Sequence, residues 1–384
     1  PMRILLVTPP MVQVNAPYPA TAYLTGILRK SGHIAVQSDA SLILALRLFS
    51  RAGILAIRTA VKHRKRPASV AHFLRHSRDY ADTVEAVIHF LQGHNPTLAL
   101  RIVSRSYLPE GPRFAALENL DPHARLGNRL STHDTAIHLA SLYLDDLVDA
   151  IREGVDSRFE LARYGEQLAA NAHSFDAIAE ALERNPTLVG RLIDEIALEL
   201  LRQHTPDLIG FTLPFPGNVY GALRMARAIK RHSPHTPIVM GGGYANTELR
   251  SLSDPRFFDY TDYLTLDDGE RPLLRILSHV DRRNAPLLTL MDGPDKHSEP
   301  PALERSFIRK NYRVCFIPSS STHPSTANQL SSCPDFTGLP LNQYFSLIEF
   351  PNPMHRIWSC GRWNKMMLAH GCYWHRCAFC DTQL

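Results

Sequence analysis

Apolar and polar positions divide the chain into two alternating patterns. Residues 3–8 (RILLVT) form a short, nearly continuous apolar run with β-branched Ile4 and Val7, ended by Pro9 and Pro10. A run of this length and composition reads as a buried parallel strand that stops at a loop. Residues 20–30 (ATAYLTGILRK) then place Ala20, Leu24, Ile27 and Leu28 on one helical face, with Gly32 where a C-terminal cap is expected. Residues 34–37 read as a second strand, which gives a βαβ opening.

From residue 41 to about 203 the strand signal vanishes. Residues 69–91 carry Val70, Phe73, Leu74, Val84, Val87, Ile88 and Leu91 at helical spacing, and residues 134–151 and 174–201 repeat the pattern, the latter broken near Pro186. The strand signal returns at residues 208–213, at 237–240 before Gly241, Gly242 and Gly243, and at 263–266 before Asp267, Asp268, Gly269 and Glu270. Helical patterns at 219–232 and 271–280 separate or follow these strands. The pieces 1–40 and 204–282 therefore join as one α/β domain, a flavodoxin-like, doubly wound, five-stranded sheet interrupted by an all-helical insertion, 41–203. Between Arg283 and His355 lie ten of the chain's 28 prolines, so 283–364 reads as an irregular linker wrapped on a neighbour. Residues 365–369 (KMMLA) start a new strand, the opening of a further core over 365–384.

Composition changes this picture little. At 44% hydrophobic and 21% charged, the 384 residues can bury a real core. The formal charge of +5 comes from 42 basic against 37 acidic residues, interspersed, which argues against nucleic acid as a partner. The densest basic run, residues 62–66 (KHRKR), reads as a solvated helix end. No run of 18 apolar residues and no charged-then-apolar leader occurs, so the expectation is a cytoplasmic protein without a membrane.

Cysteine placement is more informative. All six, Cys315, Cys333, Cys360, Cys372, Cys377 and Cys380, fall in the last 70 residues, a bunching that points to a metal or redox site and not to a disulfide framework. Cys372, Cys377 and Cys380 stand at C-x4-C-x2-C within GCYWHRCAFCD, a loop that can bring three thiolates onto one small inorganic centre. Three thiolates are one fewer than a closed zinc site or an all-cysteine cluster requires. Either Cys360, His370 or His375 completes a zinc site, or one iron stays open for another ligand.

This stretch resembles the cluster loop of radical S-adenosylmethionine (radical SAM) enzymes, usually C-x3-C-x2-C after the first barrel strand. Phe379 before the last cysteine fits that pattern, and the spacing between Cys372 and Cys377 departs from it by one residue. The wording is similar to a variant in the cobalamin-domain branch of the superfamily, and residues 333–344 (CPDFTGLPLNQY) are similar to the linker that precedes the loop there. The α/β part has no G-x-G-x-x-G and no G-x-x-x-x-G-K-[ST]. Its Pro17, Tyr18 and Pro19, the string Gly210, Phe211, Thr212 and Leu213, the triple glycine and Asp268-Gly269-Glu270 resemble the cobalamin-binding domain of that branch. The nearest string to the cobalt-ligating D-x-H-x-x-G, residues 121–127, has one residue too many, so cobalamin is expected without a protein histidine on cobalt.

The resemblance implies the amino-terminal portion of a cobalamin-domain radical SAM protein, with a (β/α) partial barrel begun and not completed. Cys372, Cys377 and Cys380 would hold three irons of a 4Fe-4S cluster, whose fourth iron binds SAM. Cobalamin would lie against Pro9, Pro10, Tyr18, Thr212, Leu213, Gly241, Gly242, Gly243, Asp268, Gly269 and Glu270. The implied activity is radical-based modification, methylation among its outcomes, of a small molecule or peptide, with an electron donor such as flavodoxin or ferredoxin. The alternative from another class is a non-catalytic cobalamin or small-ligand binding module, or a truncated, inactive fragment. A third is a helical interaction protein that docks a partner through residues 41–203.

Overall fold

Ile4 and Leu6 turn to one side of the first strand and Leu5 and Val7 to the other, and all four are buried. Burial on both faces is the signature of a strand inside a parallel sheet covered by two helical layers. The computed structural model describes residues 1–61, 67–117, 131–169, 174–284, 303–318 and 333–348. Strand β1 (Arg3–Thr8), helix α1 (Pro19–Lys30) and strand β2 (Ile34–Asp39) form the opening βαβ unit. Asp39 ends β2 and caps the next helix, its Oδ1 accepting from the Leu42 N–H at 3.0 Å.

Helices α2 (Ala40–Leu48), α3 (Arg51–Ala60), α4 (Ala68–Arg75), α5 (Ser77–Leu91), α6 (Leu98–Val103) and α7 (Thr132–Gly154) follow. A two-stranded ribbon, β3 (Phe159–Glu160) with β4 (Arg163–Tyr164), precedes α8 (Glu166–Ala169), α9 (Asp176–Glu183) and α10 (Leu188–His204). The sheet resumes with β5 (Leu208–Thr212), α11 (Pro216–His232), β6 (Ile238–Gly241), α12 (Gly243–Thr247), β7 (Tyr263–Thr265) and α13 (Glu270–Asn284), and closes with β8 (Ser306–Lys310) and β9 (Arg313–Ile317).

The fold is α/β with a mixed sheet. Its seven described strands lie in the order β2-β1-β5-β6-β7-β8-β9; the first five are parallel and the last two antiparallel. Helices α1 and α13 cover one face, where Ile27, Leu28, Leu273 and Ile276 pack on Ile4, Leu6, Leu208 and Val239. The other face is covered by α10, α11 and the long helical stretch. Leu5, Val7, Ile209 and Met240 share one continuous core there with Leu44, Val84, Leu147, Ile196 and Leu223.

Three expectations are corrected. Residues 69–91 are two helices: the chain leaves helical geometry at His76 (φ −105°, ψ 17°), and the Ser77 hydroxyl bonds the Leu74 carbonyl in place of a continuing ladder. The insertion is not wholly helical, since β3 and β4 interrupt it. The stretch read as irregular linker contains the β8–β9 hairpin, which pairs with β7 and extends the sheet from five strands to seven. Its turn residues, Asn311 and Tyr312, both have positive φ (51° and 60°), the geometry of a tight hairpin turn without the usual glycine. The strand expected at 365–369 lies outside the described residues.

Candidate cofactor-binding cavity

All five parallel strands end at the same edge, and the chain reverses its direction of travel across the sheet between β1 and β5. From β1 the chain moves outward to β2 through α1, and from β5 it moves the other way to β6 through α11 on the opposite face. Such a reversal leaves a crevice outside the carboxyl ends of the strands. Here a cavity of about 190 Å³ opens beneath α1 and α13. Leu6 and Val239 of the sheet and Leu24 and Leu273 of the two helices give it apolar walls.

Strand alternation sets its floor. In β5, Leu208 joins the α1 and α13 side and Ile209 the other, so Gly210 and Thr212 face the cavity. A Cβ on Gly210 would stand 2.9 Å from Leu6 Cδ2, and one on Gly241 would collide with Thr265 Oγ1. Glycine at these positions leaves bare backbone where side chains would fill the space. Gly242 adopts φ 118°, and a Cβ there would come within 3.0 Å of the Leu213 backbone. That approach lets the Leu213 N–H donate to Gly241 O at 2.6 Å while the Tyr244 N–H donates to Leu213 O at 2.9 Å.

Polar groups at the cavity fall into two sets. Asp267, at φ 64°, is locked by the protein itself: its N–H donates to Asn246 Oδ1 at 2.6 Å, and Arg250 and Arg305 each reach its carboxylate at 2.7 Å. The hydroxyls of Thr21 and Thr212 are different. Both residues line the cavity, both are buried (2% and 7% exposed), and neither hydroxyl has a hydrogen-bond partner. Tyr18, which precedes α1, also lines the cavity; its ring meets Phe215 edge-on at 6.2 Å, and burial pushes its phenol above the ordinary value.

No protein-family model and no curated protein matches the chain. Of the residues singled out in the sequence, Tyr18, Thr212, Gly241, Gly242, Asp268, Gly269 and Glu270 come together around this cavity. Pro9, Pro10, Leu213 and Gly243 do not line it. The Pro10 carbonyl packs against Gly221 of α11 on the opposite side of the sheet, Leu213 is fully buried, and a Cβ on Gly243 would stand 2.8 Å from the Pro214 carbonyl. Leu6, Thr21, Leu24, Val239 and Leu273 were not anticipated, although the alternation of β1, β5 and β6 places Leu6, Gly210, Thr212, Val239 and Gly241 toward one side.

Cys372, Cys377 and Cys380, and the string at 121–127, lie outside the described residues. Among the described residues no group of three or more His, Cys, Asp or Glu side chains could hold a metal ion. No single described helix is long and apolar enough to cross a membrane; the apolar pair α2 and α3 is bent by 76°.

A second feature occupies the carboxyl edge. Residues 333–348 form a strap along α1, the end of β2 and the helical block. Gly26 of α1 lies against the Cys333 carbonyl, so closely that any Cβ there would clash. The Asp335 N–H donates to Ala22 O at 3.0 Å, and Gln37 Nε2 donates to Asp335 O at 2.7 Å. Farther along, the Tyr344 hydroxyl donates to Asp39 Oδ2 at 2.7 Å, the Phe345 N–H to Val14 O at 2.9 Å and the Ile348 N–H to Ser141 Oγ at 2.9 Å. Tyr344, Phe345 and Ile348 are buried in the main core. This stretch is irregular and wrapped on its neighbours, as its proline content implies.

Proposed function

We propose that the α/β part binds a cobalamin-type cofactor and that the chain is the amino-terminal portion of a radical SAM protein, with Cys372, Cys377 and Cys380 as the ligands of a 4Fe-4S cluster. The cavity carries the first half of this reading: an apolar, glycine-floored space at the reversal of strand order, with two buried hydroxyls that no protein group satisfies. The order β2-β1-β5-β6-β7 corresponds to the flavodoxin-like arrangement, in which ligands sit at this edge.

Size decides which part of the cofactor fits. A cavity of about 150 Å³ in another protein takes up benzene, so one of about 190 Å³ suits a single planar aromatic end and not a corrin macrocycle. The nucleotide base of a cobamide is such an end. The apolar walls suit the ring faces, and the macrocycle would then rest outside, over the loops at the carboxyl edge. In this reading α1 and α13 grip the base and exclude water from it, and Gly241 and Gly242 let backbone approach the cofactor.

The strap supports the second half. Through Val14 and Asp39 it is anchored to the loop that follows β1 and to the end of β2, at the edge where the cavity opens, and Cys372 comes 24 positions after Ile348. When bound, cobalamin supplies a methyl carrier, and a cluster with SAM supplies one-electron chemistry. The chain's contribution is to hold these groups at one edge.

Two measurements test the reading. Calorimetric titration of the full chain with cobalamin should show saturable binding, and an absence of affinity would leave only a small-ligand module. Anaerobic reconstitution with iron and sulfide should give a brown chromophore that is lost when Cys372, Cys377 and Cys380 are all changed to alanine and kept when Cys315 and Cys333 are changed. Stoichiometric zinc uptake without iron would overturn the cluster.

A further inference from the structure

Helix α1 has something built against each of its two sides. At about 100° per residue, Ala22, Gly26 and Arg29 share one side, within about 60° of one another, and Ala20 and Leu24, which line the cavity, stand on the opposite one. A helix that covers a sheet ordinarily turns such an outer side to water. Here Ala22 is wholly buried, and the strap lies across it: the Asp335 N–H donates to the Ala22 carbonyl at 3.0 Å, and Arg29 reaches the Asp335 carboxylate at 2.5 Å. Gly26 is the notch for this contact. Glycine is the poorest helix former after proline, and in the middle of α1 its missing side chain is where the Cys333 carbonyl sits. The far end of the strap is fixed on the other face of the sheet. There Tyr344, Phe345 and Ile348 are buried in the main core, the Ser346 N–H donates to Leu91 O at 3.2 Å, and Gln92 Nε2 donates to Gln343 O at 2.7 Å.

We infer that the strap is a latch on the cavity: it clamps α1 onto the sheet from outside, and the cavity opens to exchange an occupant when strap and α1 lift together. Helix α13, the other helix over the cavity, is the internal reference, held on the sheet by Leu273, Ile276 and Leu277 against Leu208 and Val239. The clamp on α1 concerns the chain alone. Retention of a cofactor by that clamp rests on the cobalamin reading of the cavity.

Hydrogen exchange on the full chain tests the latch. In the wild type under increasing denaturant, the Asp335 amide and the amides of residues 24–29 should open in one step, before those of α13. Gly26→Ala sets two effects against each other: alanine by itself favours the helix, whereas its Cβ displaces the strap. The latch predicts that α1 exchanges at least tenfold faster in the variant and α13 less than threefold faster. Slower or unchanged exchange in α1 overturns it, and so does an equal rise in both helices, which is general loosening. If the variant does not fold, the order of opening in the wild type decides: α1 opening with α13, or the strap opening by itself while α1 stays protected, overturns the latch. With cobalamin as the probe, dissociation from Gly26→Ala should be at least tenfold faster than from the wild type, and an unchanged rate overturns the coupling to the cavity. A wild type that binds no cobalamin overturns the cofactor reading, and the exchange data still decide the clamp on α1.

Discussion

The two faces of the sheet bury polar groups in opposite ways. On the helical side, Asp156 accepts from Arg158 Nε at 2.8 Å, the Tyr164 hydroxyl at 2.8 Å and Thr187 Oγ1 at 2.6 Å. Arg224, almost wholly buried, donates to Gly190 O at 3.0 Å and to Asp194 at 2.5 Å. On the side of α1 and α13, Thr21 and Thr212 have no such partners. An unpaired hydroxyl alone does not separate the faces, since Tyr80 on the helical side also has one; there the rings of Phe73 and Tyr143 pack close, with centroids at 5.8 and 5.0 Å. What distinguishes the cavity side is an open volume lined by the sheet and by both covering helices. Polar groups satisfied within the protein explain how the chain closes, and open volume at the strand ends marks where an occupant would sit.

The sharpest way to break this contrast is to remove the anchor of the closed side. Asp156→Ala strands Arg158 and two hydroxyls, and by the usual cost of breaking a buried pair it should lower the unfolding free energy by about 3–5 kcal/mol. Denaturant titration measures this, and a loss below about 1 kcal/mol would show that the network is not structural. Ligand affinity of the folded fraction should stay unchanged.

Asp39 comes next. Burial pushes its carboxyl up to about 6, against the opposing hydrogen bonds from Tyr344 and from the Leu42 and Ser41 backbone. Because the folded value lies above the ordinary 3.8, the folded state holds this proton more tightly than the unfolded chain does. Its stabilising contribution is complete below about pH 4 and is lost as pH rises through 6, a swing of about 3 kcal/mol. Asp39→Asn should remove that pH dependence, read as the difference between wild type and variant from pH 4 to 8. Asp146, which burial also pushes up to about 6, is present in both and cancels.

On the cavity side, Gly210→Val places two methyl groups on the floor. Cobamide affinity should fall by tenfold or more, about 1.4 kcal/mol, and stability should fall by about 1–3 kcal/mol as the buried Leu6 side chain is displaced. Unchanged affinity in the folded variant would mean that Gly210 serves packing alone. The smallest effect is expected at Asp335→Asn in the strap. Its pair with Arg29, at 2.5 Å, leaves both side chains about one-third exposed (32% and 34%), so stability should fall by less than about 1 kcal/mol.

Much of the sheet was legible in the sequence, because a strand buried on both faces is a short apolar run and little else produces one. The five parallel strands fall within a residue or two of their expected positions, and the break at Pro186 separates α9 from α10. The β8–β9 hairpin was hidden because its turn uses Asn311-Tyr312 where a glycine would have announced it, and because prolines surround it. At the candidate site the glycines and Thr212 were legible as residues that follow strands. Thr21 was not, since a threonine inside a helix has no distinctive pattern and its meaning depends on which side chains fail to reach it. Pro10 does not line the cavity, and its carbonyl lies against Gly221, more than 200 positions away.

The strap also has a consequence for the order in which the protein can be made. Its tyrosine meets Asp39 across 305 positions of sequence, and its backbone is received by segments following β1, by the end of α5 and by α7. A ribosome therefore releases the first strands and most of the helices long before the residues that cover them exist. Until Tyr344, Phe345 and Ile348 emerge, the groove they fill is exposed apolar surface, a site where chaperones bind and proteases cut. The last described segment of the chain is thus also the last to close the first, and native packing at the carboxyl edge must wait until residue 348 has been made.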